Sequence, residues 1–217
     1  MLSSGLLASA GKDGHIKLFE TQLGQCQTTL TGHTDWVWGL DEIPGECLVS
    51  CSDDKTMKFW SIDNKICYKT VISPQNRGIR CMKVISIKRL AFASYRIWIY
   101  NTLRDDIEKH FVGHTNYVRA INFNSKRNYL LSGSEDGTIR WWGYDSCENI
   151  KAISTDCAVI CLDIWEDDYI ISGNSDSTIR FWDLSLKRLV CKKDTKIFPT
   201  QIRVTDDQRI VYAEYNN

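Results

Sequence analysis

SGSEDGTIRWW, from Ser132 to Trp142, returns almost unchanged as SGNSDSTIRFW, from Ser172 to Trp182. The second copy begins 40 residues after the first. In the first copy, two short runs of strand-forming residues are separated by EDG, a tight-turn tripeptide. This pattern predicts a β-hairpin, and its return at a fixed interval predicts a protein built from repeats.

Two further stretches follow the same pattern. LASAGKDGHIKLF ends at Phe19, and LVSCSDDKTMKFW ends at Trp60. The aligned acidic residues lie 41, 82 and 40 residues apart, and they are Asp13, Asp54, Asp136 and Asp176. The position skipped by the longest interval falls in RLAFASYRIWIYNT, which keeps both apolar runs but lacks the turn Asp. Five repeats therefore follow one another at one period.

Each hairpin is preceded by another strand-like run and followed by a more variable one, such as WVWGLDEI and ICYKTV. Four short strands in about 40 residues are typical of one blade of a β-propeller. The sequence therefore predicts an all-β fold with about five four-stranded blades in one domain, 1–217. The predicted repeats are 2–30, 31–71, 72–112, 113–154 and 155–194, with a partial repeat at 195–217.

The repeats containing TGHTDWV and VGHTNYV resemble the WD-repeat family, with Gly-His near the start and Trp near the end. FWD at 181–183 supplies the Trp-Asp dipeptide, and the resemblance runs from Leu6 to Tyr212. It implies a structural chain of hydrogen bonds inside each blade, formed by His33, Ser50, Asp54 and Trp60, by His114, Ser132, Asp136 and Trp142, and by Ser172, Asp176 and Trp182. The last of these sets has no Gly-His before it, and Phe19 and Tyr100 replace Trp in two repeats.

The terminal repeats predict an incomplete or open ring of blades. The first repeat starts at its second strand, and the last has only two strands. Seven blades are common in the family and would need roughly 280 residues at the usual repeat length. A fragment of a longer product, a smaller or open propeller, and a partner that supplies the missing edge all fit this pattern.

The resemblance also places partner-binding positions at one face of the propeller. One set lies at the start of the innermost strand, and the other lies just before the turn Asp. In this sequence these residues are Trp38, Arg80, Arg119, Lys12, Asp53, Glu135 and Ser175. The chain is therefore expected to be a non-catalytic scaffold for protein–protein interactions.

Two alternatives stay open for the function. Arg80 and Arg119 start the inner strands of successive repeats, and paired guanidinium groups suit a phosphate. F-box WD-repeat receptors, which read phosphorylated degrons for ubiquitin ligases, have similar placement, although no F-box-like helical segment occurs here. Each Arg could instead pair with a nearby acid such as Asp53 or Glu135. The second alternative is a structural subunit of a large assembly, joined through an exposed strand edge.

Composition narrows the classes of partner. Lys and Arg number 27, as do Asp and Glu, and no dense basic cluster favours nucleic acid. Nine scattered cysteines without a CxxC pair favour a reducing compartment, the cytoplasm or nucleus. No apolar run reaches the roughly 18 residues of a membrane helix. No catalytic constellation stands apart from the repeats, so we expect no enzyme activity, metal, cofactor or small-molecule substrate. The expected partners are proteins or peptides, including phosphorylated ones.

Overall fold

A computed structural model describes residues 2–166, 169–185, 188–205, 207 and 209–214. Every regular element in these ranges is a β-strand. Accordingly, no helix in the described ranges has the length and apolar character needed to cross a membrane. The end of the predicted partial repeat, 215–217, lies outside the described residues.

The strands pair in chain order, so that each sheet is a meander. The first sheet contains β1 (Leu6–Ala10), β2 (Ile16–Glu20) and β3 (Cys26–Leu30). The second contains β4 (Val37–Ile43), β5 (Cys47–Ser52), β6 (Thr56–Ser61) and β7 (Ile66–Ile72). The third contains β8 (Cys81–Ser86), β9 (Arg89–Ala93), β10 (Ile97–Asn101) and β11 (Asp106–Phe111).

The remaining strands form three more sheets. The fourth contains β12 (Val118–Asn124), β13 (Tyr129–Ser134), β14 (Thr138–Gly143) and β15 (Asn149–Ser154). The fifth contains β16 (Val159–Glu166), β17 (Tyr169–Asn174), β18 (Thr178–Asp183) and β19 (Arg188–Asp194), and the sixth contains β20 (Pro199–Val204) and β21 (Ile210–Glu214). The prediction of an all-β protein made of four-stranded antiparallel blades is confirmed. Within the described ranges the pairing gives separate sheets, with three strands in the first and two in the last.

The turn of the central hairpin is built the same way in three sheets. Lys55, Gly137 and Ser177 have φ values of 71°, 74° and 59°, and each stands just before the third strand of its sheet. The Asp of the turn fixes the residue two positions on, since the amide of Thr138 donates to Asp136 Oδ1 over 2.9 Å. A short Asp side chain that bonds the backbone two residues on is a common turn device.

The innermost strands carry a β-bulge near their first residues. The register shifts between Val37 and Gly39, between Val118 and Ala120, and between Val159 and Cys161. A bulge leaves one residue outside the ladder and re-aims its side chain. The residues left out of the ladder in β4 and β12 are Trp38 and Arg119, two of the predicted partner-binding residues.

The chain divides into two compact units. The first comprises 1–94 and 98–108, and the second comprises 95–97 and 109–217. In the first unit, Met57, Phe59, Phe92 and Tyr100 share one buried apolar cluster. In the second, Leu131, Trp141, Ile170 and Trp182 share another. The grouping of the whole chain in one domain stays a prediction.

Carboxylates join neighbouring inner strands inside each compact unit. In the first, Asp41 Oδ2 on β4 accepts a 2.8 Å hydrogen bond from the amide of Val84 on β8. In the second, Asp163 Oδ2 on β16 accepts one of 2.8 Å from the amide of Val204 on β20. The Asn122 amide group donates to the other oxygen of Asp163 over 2.5 Å. These contacts fix the register between neighbouring innermost strands.

Candidate functional site

A chain of side-chain hydrogen bonds runs through the second sheet. Trp60 Nε1 donates to Ser50 Oγ over 2.8 Å, and Ser50 Oγ lies 2.7 Å from His33 Nε2. His33 Nδ1 lies 2.6 Å from Asp54 Oδ2. Because the carboxylate can only accept, Nδ1 carries the proton and Nε2 accepts from the Ser50 hydroxyl. The indole reaches Ser50 because Leu48 faces Trp60 across the ladder and Ser50 is its diagonal neighbour.

The fourth sheet repeats this arrangement. Trp142 Nε1 donates to Ser132 Oγ over 2.8 Å, and Ser132 Oγ lies 2.7 Å from His114 Nε2. His114 Nδ1 lies 2.7 Å from Asp136 Oδ2. Both histidine side chains are buried, with 0% and 1% of their surface exposed. Each of these hydrogen-bond chains joins segments of a single sheet, and each of its polar atoms has a partner.

The ionisation states of these pairs follow from burial and hydrogen bonding. Burial lowers the pKa of His33 and His114, although their hydrogen bonds to Asp54 and Asp136 oppose that shift. Burial also opposes ionisation of Asp54, yet hydrogen bonds from Thr56 and His33 hold its pKa below the ordinary value. Asp136 behaves in the same way. The pairs are therefore neutral imidazoles beside carboxylates.

The fifth sheet keeps the Trp-to-Ser part of this series of hydrogen bonds and replaces the His-to-Asp part. Trp182 Nε1 donates to Ser172 Oγ over 2.8 Å. Thr155 stands four residues before Val159, where histidine stands before Val37 and Val118 in the other two sheets. The guanidinium of Arg180 takes over, donating to Asp176 Oδ2 over 2.6 Å and to the Thr155 carbonyl over 2.5 Å.

The third sheet has a different clamp. Phe92 occupies the serine position, and the Tyr100 hydroxyl donates to Asp105. At the same end of the sheet, the Glu108 carboxylate accepts from Arg89 over 2.6 Å and from Asn101 over 2.6 Å. Arg104 donates to it over 2.8 Å. The Arg89 hydrogen bond lowers the pKa of Glu108 to about 2, against the opposing effect of burial.

A row of cationic and aromatic side chains lies in the first compact unit. Lys12 Nζ is 4.5 Å from the ring centre of Trp36, and the rings of Trp36 and Trp38 are 5.3 Å apart. The guanidinium carbon of Arg80 is 4.5 Å from the Trp38 ring. Arg80 Nε is 3.0 Å from Asp53 Oδ1. We call Lys12, Trp36, Trp38, Arg80 and Asp53 the cation–aromatic row.

Three consecutive sheets contribute to this row. Lys12 comes from the β1–β2 turn and Asp53 from the β5–β6 turn. Trp36 directly precedes β4, Trp38 lies in β4, and Arg80 directly precedes β8 of the third sheet. Backbone hydrogen bonds fix these segments to one another: the amide of Asp53 donates to the Trp36 carbonyl over 2.9 Å, that of Val37 to the Gly11 carbonyl over 3.1 Å and that of Ile79 to the Ser52 carbonyl over 2.9 Å. The amide of Arg80 donates to the Ala93 carbonyl of its own sheet over 2.9 Å. Four predicted partner-binding residues are thus brought together on a supported backbone.

The other predicted binding residues lie in the second compact unit. Arg119 Nη1 is 3.2 Å from Glu135 Oε1. The amide of Glu135 donates to the carbonyl of Tyr117, whose ring meets that of Tyr95 edge-on at 4.6 Å. Ser175 Oγ accepts from the amide of Ala158 over 3.2 Å. Arg80 and Arg119 therefore each have an acidic neighbour within their own compact unit.

Sequence reasoning omitted Trp36 from the candidate site. Its side chain is 38% exposed, whereas Trp38 is partly buried and packs against the core of the second and third sheets. Strand alternation gave no way to choose between these two indoles, because Trp36 precedes β4 and Trp38 lies in its bulge. The available signal was the aromatic residue directly before Val37 and Val118, Trp36 in one repeat and Tyr117 in the other.

Metal-ligating side chains do not gather in the part of the chain that the structure describes. No group of three or more His, Cys, Asp or Glu residues there is arranged to hold an ion. The cysteines in these ranges are all free thiols. Burial raises the pKa of Cys161 to about 12, so this thiol stays protonated at neutral pH.

Comparison with known sequences agrees with the side-chain hydrogen bonds inside each sheet and with the repeated hairpins. The family model described as "WD domain, G-beta repeat" matches residues 24–61, 106–143 and 149–183, which together make up just over half of the chain. The chain belongs to the WD40 repeat family. The matches include the second, fourth and fifth hairpins, each of which contains a Trp-to-Ser hydrogen bond.

Several characterised proteins are similar to this WD40 chain. Nuclear distribution protein PAC1-2 of Uncinocarpus reesii is 30% identical over 184 residues, which cover 71% of this chain and 39% of that protein. Protein SPA1-RELATED 3 of Arabidopsis thaliana is 28% identical over 143 residues, covering 63% of this chain and 17% of its own length. The chain thus spans about two fifths, or less, of the relatives it matches.

A solved structure shows the same fold. The WD40 β-propeller domain of Doa1 superposes with a TM-score of 0.85 over 97% of this chain and 72% of that chain, at 22% sequence identity. Since the identity is low, this likeness concerns the fold alone. It agrees with the four-stranded sheets described above.

Proposed function

We propose that this WD40 chain is a non-catalytic platform for protein–protein interactions and that the cation–aromatic row is one of its contact surfaces. The row carries the proposal because it joins Lys, aromatic and Arg side chains from three sheets on a supported backbone. Trp and Arg are the residues that most often dominate binding energy at protein interfaces.

Preorganisation gives the row its mechanism. Binding costs free energy when loops and side chains must be ordered, and that cost is small where they are already fixed. Asp53 and Arg80 are anchored through their own backbone amides, and Trp36 and Trp38 rest against each other. A partner would meet side chains that need little rearrangement.

Membership in the WD40 family supports the proposal of a role in protein–protein interaction. WD40 propellers are generally interaction proteins rather than enzymes, and one similar protein, PAC1-2 of Uncinocarpus reesii, is named for nuclear distribution. We extend to this chain only the binding of other proteins or peptides. The proposed location remains the cytoplasm or nucleus, on the grounds of its unpaired cysteines.

Affinity capture from native extract tests the proposal. The double variant Trp36→Ala/Trp38→Ala is compared with the wild type, after circular dichroism has shown that both are folded. The control is Ile66→Ala/Leu103→Ala, which removes two exposed apolar side chains of the same compact unit outside the row. We expect partners to be lost from the row variant and kept by the control. Equal capture by all three proteins contradicts the proposal.

Phospho-motif recognition by Arg80 and Arg119 is a narrower alternative. A phosphate would have to compete with Asp53 for one Arg and with Glu135 for the other. Reversing both charges should abolish phosphopeptide binding while the fold stays intact, and unchanged binding eliminates this alternative. A structural role through an exposed strand edge is tested by the mass of the isolated chain in solution, since a clean monomer contradicts it.

A further inference from the structure

The electrostatics of the cation–aromatic row indicate what kind of partner it fits, an inference that rests on the proposed function. Aromatic rings are negative on their faces and positive at their edges. Here each indole already has a cation of the same chain over its ring, Lys12 over Trp36 and Arg80 over Trp38. A partner cation would be repelled by those two charges.

A partner anion would be attracted by those two positive charges. With Lys12, Arg80 and Asp53 ionised, the row has a formal charge of plus one. Trp36 is the most exposed ring, at 38%. Apolar side chains of a partner can pack on this indole while carboxylates approach the cations and the positive ring edges.

Asp53 shows that Arg80 accepts a carboxylate in this place. Its Oδ1 lies 3.0 Å from Arg80 Nε, and the two side chains are 20% and 21% exposed. The residue beside this pair is Gly78, where a Cβ would collide with the Asp53 carboxylate. The absence of a side chain at Gly78 therefore leaves room for an acid next to the Arg80 guanidinium.

We propose that the row binds an acidic segment of a partner protein, with Asp or Glu carboxylates at Lys12 and Arg80 and an apolar residue on Trp36. Asp53 is the internal competitor for Arg80. Removing its charge should therefore strengthen binding of the acidic segment, a result that a purely structural Asp53–Arg80 pair does not produce.

The test uses four synthetic peptides with one design, Gly-X-Leu-X-Leu-X-Gly with blocked ends, where X is Glu, Gln, Lys or phosphoserine. Binding is followed through the indole N–H signals of Trp36 and Trp38 in ¹⁵N-labelled protein, assigned with single Trp→Phe variants. We expect the Glu peptide to shift these signals with a measurable Kd, and the Gln and Lys peptides to bind more weakly. Added salt should weaken the Glu peptide, because exposed charges are screened.

Substitution of the competitor provides the decisive measurement. Asp53→Asn should lower the Kd of the Glu peptide by about two- to fivefold, the range expected for one partly exposed ion pair. The control is Asp63→Asn, an exposed acid in the turn at the opposite end of β6, which should leave the Kd unchanged. Arg80→Gln should weaken binding of the same peptide.

Three outcomes overturn this inference. The first is equal or tighter binding of the Gln or Lys peptide, and the second is no gain from Asp53→Asn. The third is binding of the phosphoserine peptide alone, which assigns the site to phosphopeptides. If captured partners still depend on Trp36 and Trp38 in these cases, the proposed function stands and only the acidic chemistry is wrong. If capture is also insensitive to both indoles, the proposed function falls as well.

Discussion

Arg180 Nη2 donates to Asp176 Oδ2 over 2.6 Å, in the place where the second and fourth sheets have a histidine beside the turn Asp. The same guanidinium reaches the carbonyl of Thr155, the residue that replaces histidine. One side chain from the third strand thereby holds together the turn and the segment that leads into β16. The fifth sheet is clamped by a group that stays charged at any physiological pH.

The first prediction concerns this substitute clamp. Arg180→Ala removes the donors to Asp176 and Thr155, and we expect a loss of about 2 kcal/mol in the free energy of unfolding, since hydrogen bonds to charged groups carry about this value. The control is Arg209→Ala, whose side chain is 81% exposed beside Asp207 and should matter little. Urea unfolding of both variants measures the difference, and equal stabilities contradict the assigned role.

A second prediction separates the serine positions. Ser132 links two side chains, accepting from Trp142 and donating to His114, whereas among the described contacts Ser172 links one ring, that of Trp182. Ser132→Ala strands two buried polar atoms and Ser172→Ala strands one. Each stranded group costs about 1–3 kcal/mol, so Ser132→Ala should be the more destabilising variant in thermal or urea unfolding. The reverse order would show that the fourth sheet does not depend on its complete chain.

The third prediction concerns mildly acidic pH. The folded pKa values of His33 and His114 lie below the ordinary value of 6.5. The unfolded chain therefore binds more protons just below that pH, and the free energy of unfolding should fall as the pH drops through 6.5. His33→Asn/His114→Asn should flatten this dependence, while His110→Asn, at an exposed position, should keep it. Unfolding curves between pH 5 and 8 decide the matter; a dependence that survives in the double variant assigns it to other groups.

Glu108 gives a fourth prediction at lower pH. Its folded pKa is about 2, against an ordinary value of 4.5. Stability from this carboxylate is fully present above pH 4.5 and is lost as the pH falls from there towards 2. Glu108→Gln should be less stable than the wild type at pH 6, and the gap should narrow on acidification. A gap of constant size would mean that the charge of Glu108 contributes nothing.

The residues that recur from repeat to repeat determine how much of the fold could be predicted from the sequence. Strand runs and turn tripeptides recur in the sequence, so the fold class followed from their spacing, whereas the His–Ser–Asp–Trp positions came from the resemblance to the WD-repeat family. Arg180 could not be distinguished in this way, because Lys58 and Arg140 occupy the same place in their repeats without replacing a histidine. Its role arises because Thr155, 25 positions before Arg180, stands where the second and fourth repeats have a histidine.

The candidate site was harder to predict for geometric reasons. The pairing of Lys12 with Trp36 and of Arg80 with Trp38 joins residues from different repeats, and neither contact leaves a trace in the local pattern. The Glu108 clamp likewise needs three donors spread over 89–104. Period-two alternation describes one strand at a time, whereas these contacts arise only when segments of several sheets, or several strands of one sheet, come together.

The carboxylates of Asp41 and Asp163 have a mechanical consequence. Each is held by the amide of the following inner strand, Val84 in one case and Val204 in the other. Separating those strands leaves both an amide and a carboxylate without a partner. The contact between the two inner strands therefore resists shear more than apolar contact alone would. In a single-molecule stretching experiment, sheets joined in this way should rupture as pairs.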